Sequence, residues 1–395
     1  MQETPASSDS VPGAAAARRE RYIYIAAPWT PVGGGMYKVT DYLVQSQGAD
    51  PGPDAARLRP LDSRGGLSAA FSLWVLAKAL AKIAWGRASG RLAGVHVNVA
   101  ERLSLVRKGT IILLCRAIGV PVVLHLHAQM QRFYHRMPGP LQGLTRLVFA
   151  SAGTVVVIGP AARRFVTQDL QVPDERVHTV INGVPAATVP RRGKAPDGVQ
   201  RVLFLGNLSH LKGVNDLLAA LARPGFERGR LEVTIAGGGD VAGYQAIAQQ
   251  LGIAGFVRLP GWCDQPTTAR LLANADVLVL PSYDEVMPLV VLEALANGVA
   301  VICTPVGEIP SVLTDRVNAL YVQPGDVPGL AAALQQVLSQ PQLLESLEHN
   351  GHALYRQQFS LPSFFAAVAR IHQRTFGIAG RAHDTGAATG QERAP

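Results

Sequence analysis

Two glutamates eight residues apart, Glu285 and Glu293, lie in a segment whose chemistry can be read from residue types: Asp276-Val-Leu-Val-Leu-Pro-Ser-Tyr-Asp-Glu-Val-Met-Pro-Leu-Val-Val-Leu-Glu-Ala-Leu-Ala-Asn-Gly298. The apolar run Val277 to Leu280 has strand character, Pro281-Ser282 is a turn, and a helical stretch follows. Glu285 therefore falls in a strand-to-helix loop and Glu293 on the helix. Pro288 fits the first helical turn, where a missing N–H leaves nothing unsatisfied. The N–H groups around Val286, Met287 and Leu289 are then free to face a ligand. A helix start of this kind attracts phosphate, and carboxylates beside it accept hydrogen bonds from sugar or ribose hydroxyls.

Other groups with chemical potential also stand at strand ends. Leu205-Gly-Asn-Leu-Ser-His-Leu-Lys-Gly213 follows one strand and precedes the helical stretch Val214 to Leu221, which puts Gly206, Asn207 and Lys212 in a loop. Ile235-Ala-Gly-Gly-Gly-Asp240 closes the next strand with glycines, Gly238 among them. Near the start of the chain, Pro31-Val-Gly-Gly-Gly35 links a strand to a helix, so Gly34 and Gly35 could bring backbone N–H groups close to a phosphate, or simply make a turn. His125 and His127 end a strand with both imidazoles on one face. Two histidines at this spacing suggest a metal, but no third ligand with suitable spacing accompanies them. Ser104, Arg107 and Lys108, and further on Arg132, Tyr134, His135 and Arg136, are polar stretches open to an acceptor phosphate or to solvent.

Glu285 and Glu293 form an E-x7-E motif, and the whole segment resembles the donor-sugar signature of family 4 glycosyltransferases. Gly298-Val-Ala-Val-Ile302 and Thr304-Pro-Val-Gly-Glu-Ile-Pro-Ser311 match that family's next strand and turn. The resemblance spans roughly Tyr22 to Phe376. It implies a GT-B fold, retention at the anomeric carbon, and a nucleotide-diphosphate sugar as co-substrate with no further cofactor. It also implies catalytic roles for His127, Lys212 and Glu285. Donor contacts would come from Gly34, Gly35, Gly206, Asn207, Lys212, Gly238, Glu285, Met287, Pro288, Leu289 and Glu293, with Leu259-Pro-Gly-Trp262 near the base. Arg107 and Lys108 would lie on the acceptor side, together with Arg132 and Tyr134. The chain departs from the family pattern twice: Asn207 stands where an arginine is common, and Val286 where a glycine usually follows the first acid. A metal is not implied, since no Asp-x-Asp element closes a strand; Lys212 and helix-terminal N–H groups would supply the electrostatics.

The elements that must position these groups alternate regularly. Strands are expected at Tyr22–Ala26, Gly94–Val99, Val120–Leu126, Thr154–Ile158 and Val177–Ile181, then at Arg201–Leu205, Glu232–Ala236, Phe256–Leu259, Val277–Leu280 and Val299–Cys303, with helices between them. This predicts an α/β chain of two doubly wound, Rossmann-like domains facing across a cleft. Residues 21–184 form the first, 185–199 a linker, 200–358 the second, and 359–378 a helix crossing back to the first. Residues 1–20 and 379–395 read as disordered tails.

With 395 residues, 48% hydrophobic and 16% charged, the chain can build two cores. Its net charge of +9 arises in the first half: residues 1–190 carry 21 Lys+Arg against 11 Asp+Glu, residues 191–395 carry 16 against 17. Such a basic half suits phosphorylated ligands or an anionic membrane surface; nucleic acid is disfavoured, as no finger or RNA-binding motif appears. Cys115, Cys263 and Cys303 are far apart in apolar segments, as in reduced interiors, and no apolar block of signal type opens the chain, so a cytoplasmic location is expected. Leu67 to Trp85 is apolar but carries Lys78 and Lys82, which suits a surface helix or one lying on a bilayer. The resulting expectation is a cytoplasmic glycosyltransferase, peripheral at the inner membrane face, acting on a polysaccharide or a lipid-linked glycan acceptor. A noncatalytic nucleotide-sugar-binding subunit and a GT-B epimerase are the rival readings.

Overall fold

The computed structural model describes residues 20–29, 34–47, 55–65, 69–193 and 198–379. The expectations for the two tails, and for the leading part of the Pro31–Gly35 turn, fall almost wholly outside them. Among the described residues the alternation of strands and helices builds two parallel six-stranded sheets.

The first sheet has the order β2-β1-β3-β4-β5-β6, with β1 at Tyr22–Ala27, β2 at Arg57–Asp62, β3 at Leu92–Val99, β4 at Val122–Leu126, β5 at Thr154–Val157 and β6 at Val177–Thr179. The second has the order β12-β11-β10-β7-β8-β9. Here β7 is Gln200–Leu205, β8 Leu231–Ala236, β9 Val257–Gly261, β10 Val277–Leu280, β11 Ala300–Cys303 and β12 Leu320–Tyr321. Central strands such as β10 (Val-Leu-Val-Leu) and β11 (Ala-Val-Ile-Cys) are buried throughout, because helices cover both faces. Each sheet reverses its strand order once, between β1 and β3 and between β7 and β10. Strand carboxyl ends diverge at such a point and leave a crevice. The architecture is the α/β GT-B arrangement: two Rossmann-like units across a cleft.

Two strands, β2 and β12, have no counterpart among the expected ones. Both lie at sheet edges and have a single neighbour. Strand β2 reads Arg-Leu-Arg-Pro-Leu-Asp, with a proline and charges that an edge tolerates and a central strand would not. Strand β12 has only two residues.

The closing helix Leu361–Phe376 lies on the first sheet. Thr375 Oγ1 is 2.7 Å from Thr154 Oγ1 on β5, and the Phe376 ring occupies space that a side chain on Gly94 of β3 would fill. Helix Ala69–Ala88 exposes Leu73, Trp74 and Trp85, with Lys78 Nζ 5.1 Å from the Trp74 ring. Among the described residues no helix is long and apolar enough to cross a membrane.

Candidate active site

At the crevice of the second sheet, the loops after β7 and β10 are pressed together. Gly213 closes the short turn His210–Lys212 in a left-handed conformation (φ +70°), and a side chain there would collide with the Pro281 carbonyl oxygen. Tyr283 N–H donates to the Leu211 carbonyl at 2.9 Å and fastens the same two loops. Lys212 is thereby aimed at Glu285: Nζ stands 2.6 Å from Oε1. The Ser282 hydroxyl donates to that oxygen at 2.9 Å, and the Thr304 hydroxyl holds the Ser282 carbonyl at 2.6 Å.

Eight residues on, Glu293 belongs to helix Leu289–Ala296, so the motif's two acids do occupy a loop and a helix. Pro288 is not in the first turn, as expected from sequence, but precedes it with extended backbone (φ −72°, ψ 123°). Its fixed φ suits that position equally, and its carbonyl accepts from Val291 N–H at 3.1 Å. Glu293 is 8% exposed; its Oε1 pairs with Lys38 Nζ at 3.0 Å, and its Oε2 has no partner. Lys38 comes from the first domain, on helix Gly35–Gln45, which begins after Gly34. Gly35 lies against Leu289, where an added Cβ would approach the leucine to 3.3 Å.

The glycine loop after β8 serves structure and site separately. At Gly237 (φ +158°) a side chain would run into the Gly206 carbonyl, and Leu208 N–H donates to the Gly238 carbonyl at 2.7 Å, so the loops after β7 and β8 zip together. Gly238 itself faces open space on the side of Asn207, whose Oδ1 would lie 3.9 Å from an added Cβ.

Across the cleft, His127 follows β4. Asn98 Nδ2 donates to the Ala26 carbonyl at 3.4 Å, which turns Asn98 Oδ1 towards His127 Nε2 at 2.7 Å. Nε2 therefore carries the proton and Nδ1 is a lone-pair acceptor. Burial, with His96 and Lys108 nearby, pushes the His127 pKa down to about 3, so the ring is neutral at physiological pH. Behind it runs a chain of buried imidazoles. His372 Nε2 is 2.8 Å from His96 Nδ1, His96 Nε2 is 3.2 Å from His125 Nδ1, and the His125 ring lies 4.0 Å from that of His127. Burial lowers all three pKa values, that of His96 to about 3.

These groups surround a cavity of about 950 Å³. His127, Lys212, Glu285, Gly34, Gly35, Gly206, Asn207, Gly238, Met287, Pro288, Leu289 and Glu293 all line it, with Trp262 at the edge. The four acceptor-side candidates do not line it. Tyr134 is a correction: it is buried against Phe165 with its hydroxyl 3.4 Å from the Asp169 carbonyl, because the short helix Gln131–His135 turns it inward. Arg132 on that helix is exposed. Lys108 is 1% exposed, its Nζ on Ser104 Oγ (3.0 Å) and Met36 Sδ (3.5 Å), and burial beside Arg107 and Arg64 pushes its pKa down to about 7. Arg107 Nε is buried without a hydrogen-bond partner. Among the described residues no group of three or more His, Cys, Asp or Glu could hold a metal ion.

Residues 187–353 match the family model described as Glycosyl transferases group 1. The matched segment lies almost wholly in the second domain. That domain contains Lys212, Glu285 and Glu293, and the family 4 resemblance of the E-x7-E segment lies inside it. A glycosyltransferase of Methanocaldococcus jannaschii, described as uncharacterized, is 25% identical over 240 residues, 58% of this chain and 61% of the relative. Against other curated relatives the chain spans about half their length. Among solved structures, sucrose-phosphate synthase of Thermosynechococcus elongatus superposes with a TM-score of 0.72 at 19% identity, over 90% of this chain and 99% of that one. Anabaena HepE, solved with UDP and glucose, gives 0.69 at 16% identity over 90% and 100%. These two likenesses establish the fold.

Three residues that bind the second domain to the first were not legible beforehand. Besides Lys38, Gln129 donates through Nε2 to the Glu285 carbonyl at 2.5 Å. Glu308 accepts from the N–H groups of Ala161 (3.2 Å) and Ala162 (2.7 Å), capping a first-domain helix from the other side of the cleft. Only the position of Glu308, in the turn matched to the family, offered any signal.

Proposed function

We propose that this chain is a retaining glycosyltransferase that moves a sugar from a nucleotide-diphosphate donor to a glycan or lipid-linked glycan acceptor. The observation that carries this reading is the Lys212–Glu285 pair at the β7/β10 crevice, facing a neutral His127 across a cavity of about 950 Å³. Glu293 would accept from the ribose hydroxyls, Glu285 from the sugar hydroxyls, and Lys212 would neutralise the diphosphate as it leaves. Gly34, Gly35 and Gly238 would let it approach backbone N–H groups closely. His127, being uncharged, would bind a sugar hydroxyl through Nδ1 without opposing positive charge at the anomeric carbon. In the step proposed, the bond from anomeric carbon to the β-phosphate oxygen breaks while the acceptor oxygen bonds to that carbon on the same face. The acceptor proton passes to the departing phosphate oxygen, and the nucleoside diphosphate leaves with the electron pair. Lysines supply the cationic charge, so transfer should persist in EDTA.

The exposed apolar side chains of helix Ala69–Ala88 and the basic first half support a location against an anionic membrane surface. A noncatalytic sugar-nucleotide-binding subunit is favoured only by Asn207 and Val286, the two departures from the family pattern. Thermal shifts with UDP, GDP and ADP and their sugars test the reading: a ligand at about a hundred times its Kd adds roughly 2.7 kcal/mol. No shift with any of them would sink it. Binding without turnover over a panel of glycan acceptors would favour the noncatalytic subunit.

A further inference from the structure

We infer that Lys38 is a second diphosphate cation, supplied by the first domain, and that it exchanges Glu293 for the diphosphate when the donor enters. The inference rests on the nucleotide-sugar reading above and assigns a residue to it that neither motif nor family match indicated.

The cleft of the described residues holds two lysines and two glutamates, paired Lys212–Glu285 within the second domain and Lys38–Glu293 between the domains. Both carboxylates are thus engaged by cations when they are needed for hydroxyls. A doubly charged diphosphate is the one part of the donor able to draw both cations away. Lys38 is placed to make that move. It sits in the first turn of helix Gly35–Gln45, its N–H donating to the Gly34 carbonyl at 3.3 Å, and helix side chains lean towards the N-terminus. Its flexible stem can therefore swing from Glu293 to the space before Gly34 and Gly35, where helix N–H groups already favour phosphate. Glu293 gives the independent sign of a ligand: at 8% exposure its Oε2 has no hydrogen-bond partner, though it borders the cavity. A buried, half-satisfied carboxylate is costly, and a ribose hydroxyl would satisfy it.

The cation also meets a need. Asn207 lies beside Gly206 and Gly238 in the cavity wall and brings no charge, so within the second domain Lys212 is the sole lysine or arginine lining the cavity among the described residues. Lys38 restores a second positive charge from the opposite wall. Because it belongs to the other domain, its exchange also ties donor binding to the relation of the two halves.

Calorimetric titration of the whole chain tests this with UDP, GDP and ADP and with uridine, guanosine and adenosine, on the wild type, Lys38→Met and Lys38→Arg. Lys38→Met should weaken the best-bound diphosphate by about tenfold or more, the loss of a charge-assisted contact. It should bind the matching nucleoside as well as the wild type or better, since Glu293 no longer has a competitor, and Lys38→Arg should stay near wild type for both. Unchanged or tighter diphosphate binding in Lys38→Met would overturn the inference while leaving the nucleotide-sugar reading intact; equal weakening of nucleoside and diphosphate would overturn it as well, by making Lys38 a general brace of the cleft. If the wild type binds none of the diphosphates, the underlying reading fails and takes the inference with it.

Discussion

The two domains share a topology but treat polar groups in opposite ways. In the second, among the described residues, no strand buries a polar or charged side chain: the buried strand positions are apolar, and Ser282, Glu293, Thr304 and Glu308 stand in the loops and helix at its carboxyl edge. In the first, the strands themselves carry polar groups inside, with His96 and Asn98 on β3, His125 on β4 and Thr154 on β5, while Lys108 and His372 are buried in the covering helices. The second domain is a hydrophobic platform that displays charge at one edge. The first has an interior whose stability falls when its imidazoles take up protons, since burying a charge without a partner is costly. The chemistry at the edge of one domain and the proton sensitivity of the other should therefore be separable by experiment.

The largest effect is expected at the edge. Lys212→Ala should lower turnover by about a hundredfold or more, as the removal of preorganised charge does elsewhere, and should weaken diphosphate binding. Glu285→Gln, which keeps size and loses charge, should cost at least about tenfold, roughly 1.4 kcal/mol of transition-state stabilisation, while the diphosphate still binds. Steady-state rates and titrations on both variants check this. Full activity in either would remove that residue from the mechanism, and with it the view of the second domain as the charged edge.

Next in size is acid lability confined to the first domain. His96 has a folded pKa of about 3 and an unfolded value near 6.5, so below pH 6.5 the unfolded chain takes up a proton that the native one refuses. Stability is complete above pH 6.5 and drains away as pH falls towards 3. From His96 alone, the loss between pH 6.5 and 5 is about 2 kcal/mol, and His125 and His372 act in the same direction. Hydrogen exchange at pH 5 should show β3 and β4 losing protection before β10 and β11. Simultaneous loss in both sheets would mean that the halves unfold as one unit and would blunt the contrast.

The smallest effect concerns the first domain's surface. Lys78→Gln should weaken binding to phosphatidylserine-containing vesicles by about fivefold at low salt, since each basic group near such a surface contributes about 1 kcal/mol. The effect should fade as added salt screens it. Co-sedimentation that ignores this substitution would restrict the basic character of this half to ligands in the cleft.

Much of this molecule was legible from local pattern. Apolar runs separated by helical stretches located ten of the twelve strands within a few residues, since a central parallel strand buried on both faces must be apolar along its length. The loop-and-helix placement of Glu285 and Glu293 followed from the same reading, as did Lys212 in the turn after β7. Strands β2 and β12 escaped it: an edge need satisfy only one neighbour, so β2 can hold a proline and two arginines, and β12 is only two residues long. Tyr134 was misjudged because five helical residues are too few to show which face turns inward.

What the sequence by itself determined was the alternation of elements and the set of groups placed at strand ends, because turns, helix starts and apolar periodicity act over a few residues. What only the tertiary structure decided was which of those groups meet. Lys38 and Glu293 are 255 residues apart, His96 and His372 are 276 apart, and the Glu308 cap on Ala161 and Ala162 spans about as wide a gap as Gln129 does to Glu285. No short-range preference brings such pairs together. They arise because two sheets, each with its own crevice, face each other across the cleft with one closing helix laid on the first, and the energy that selects them belongs to that packing.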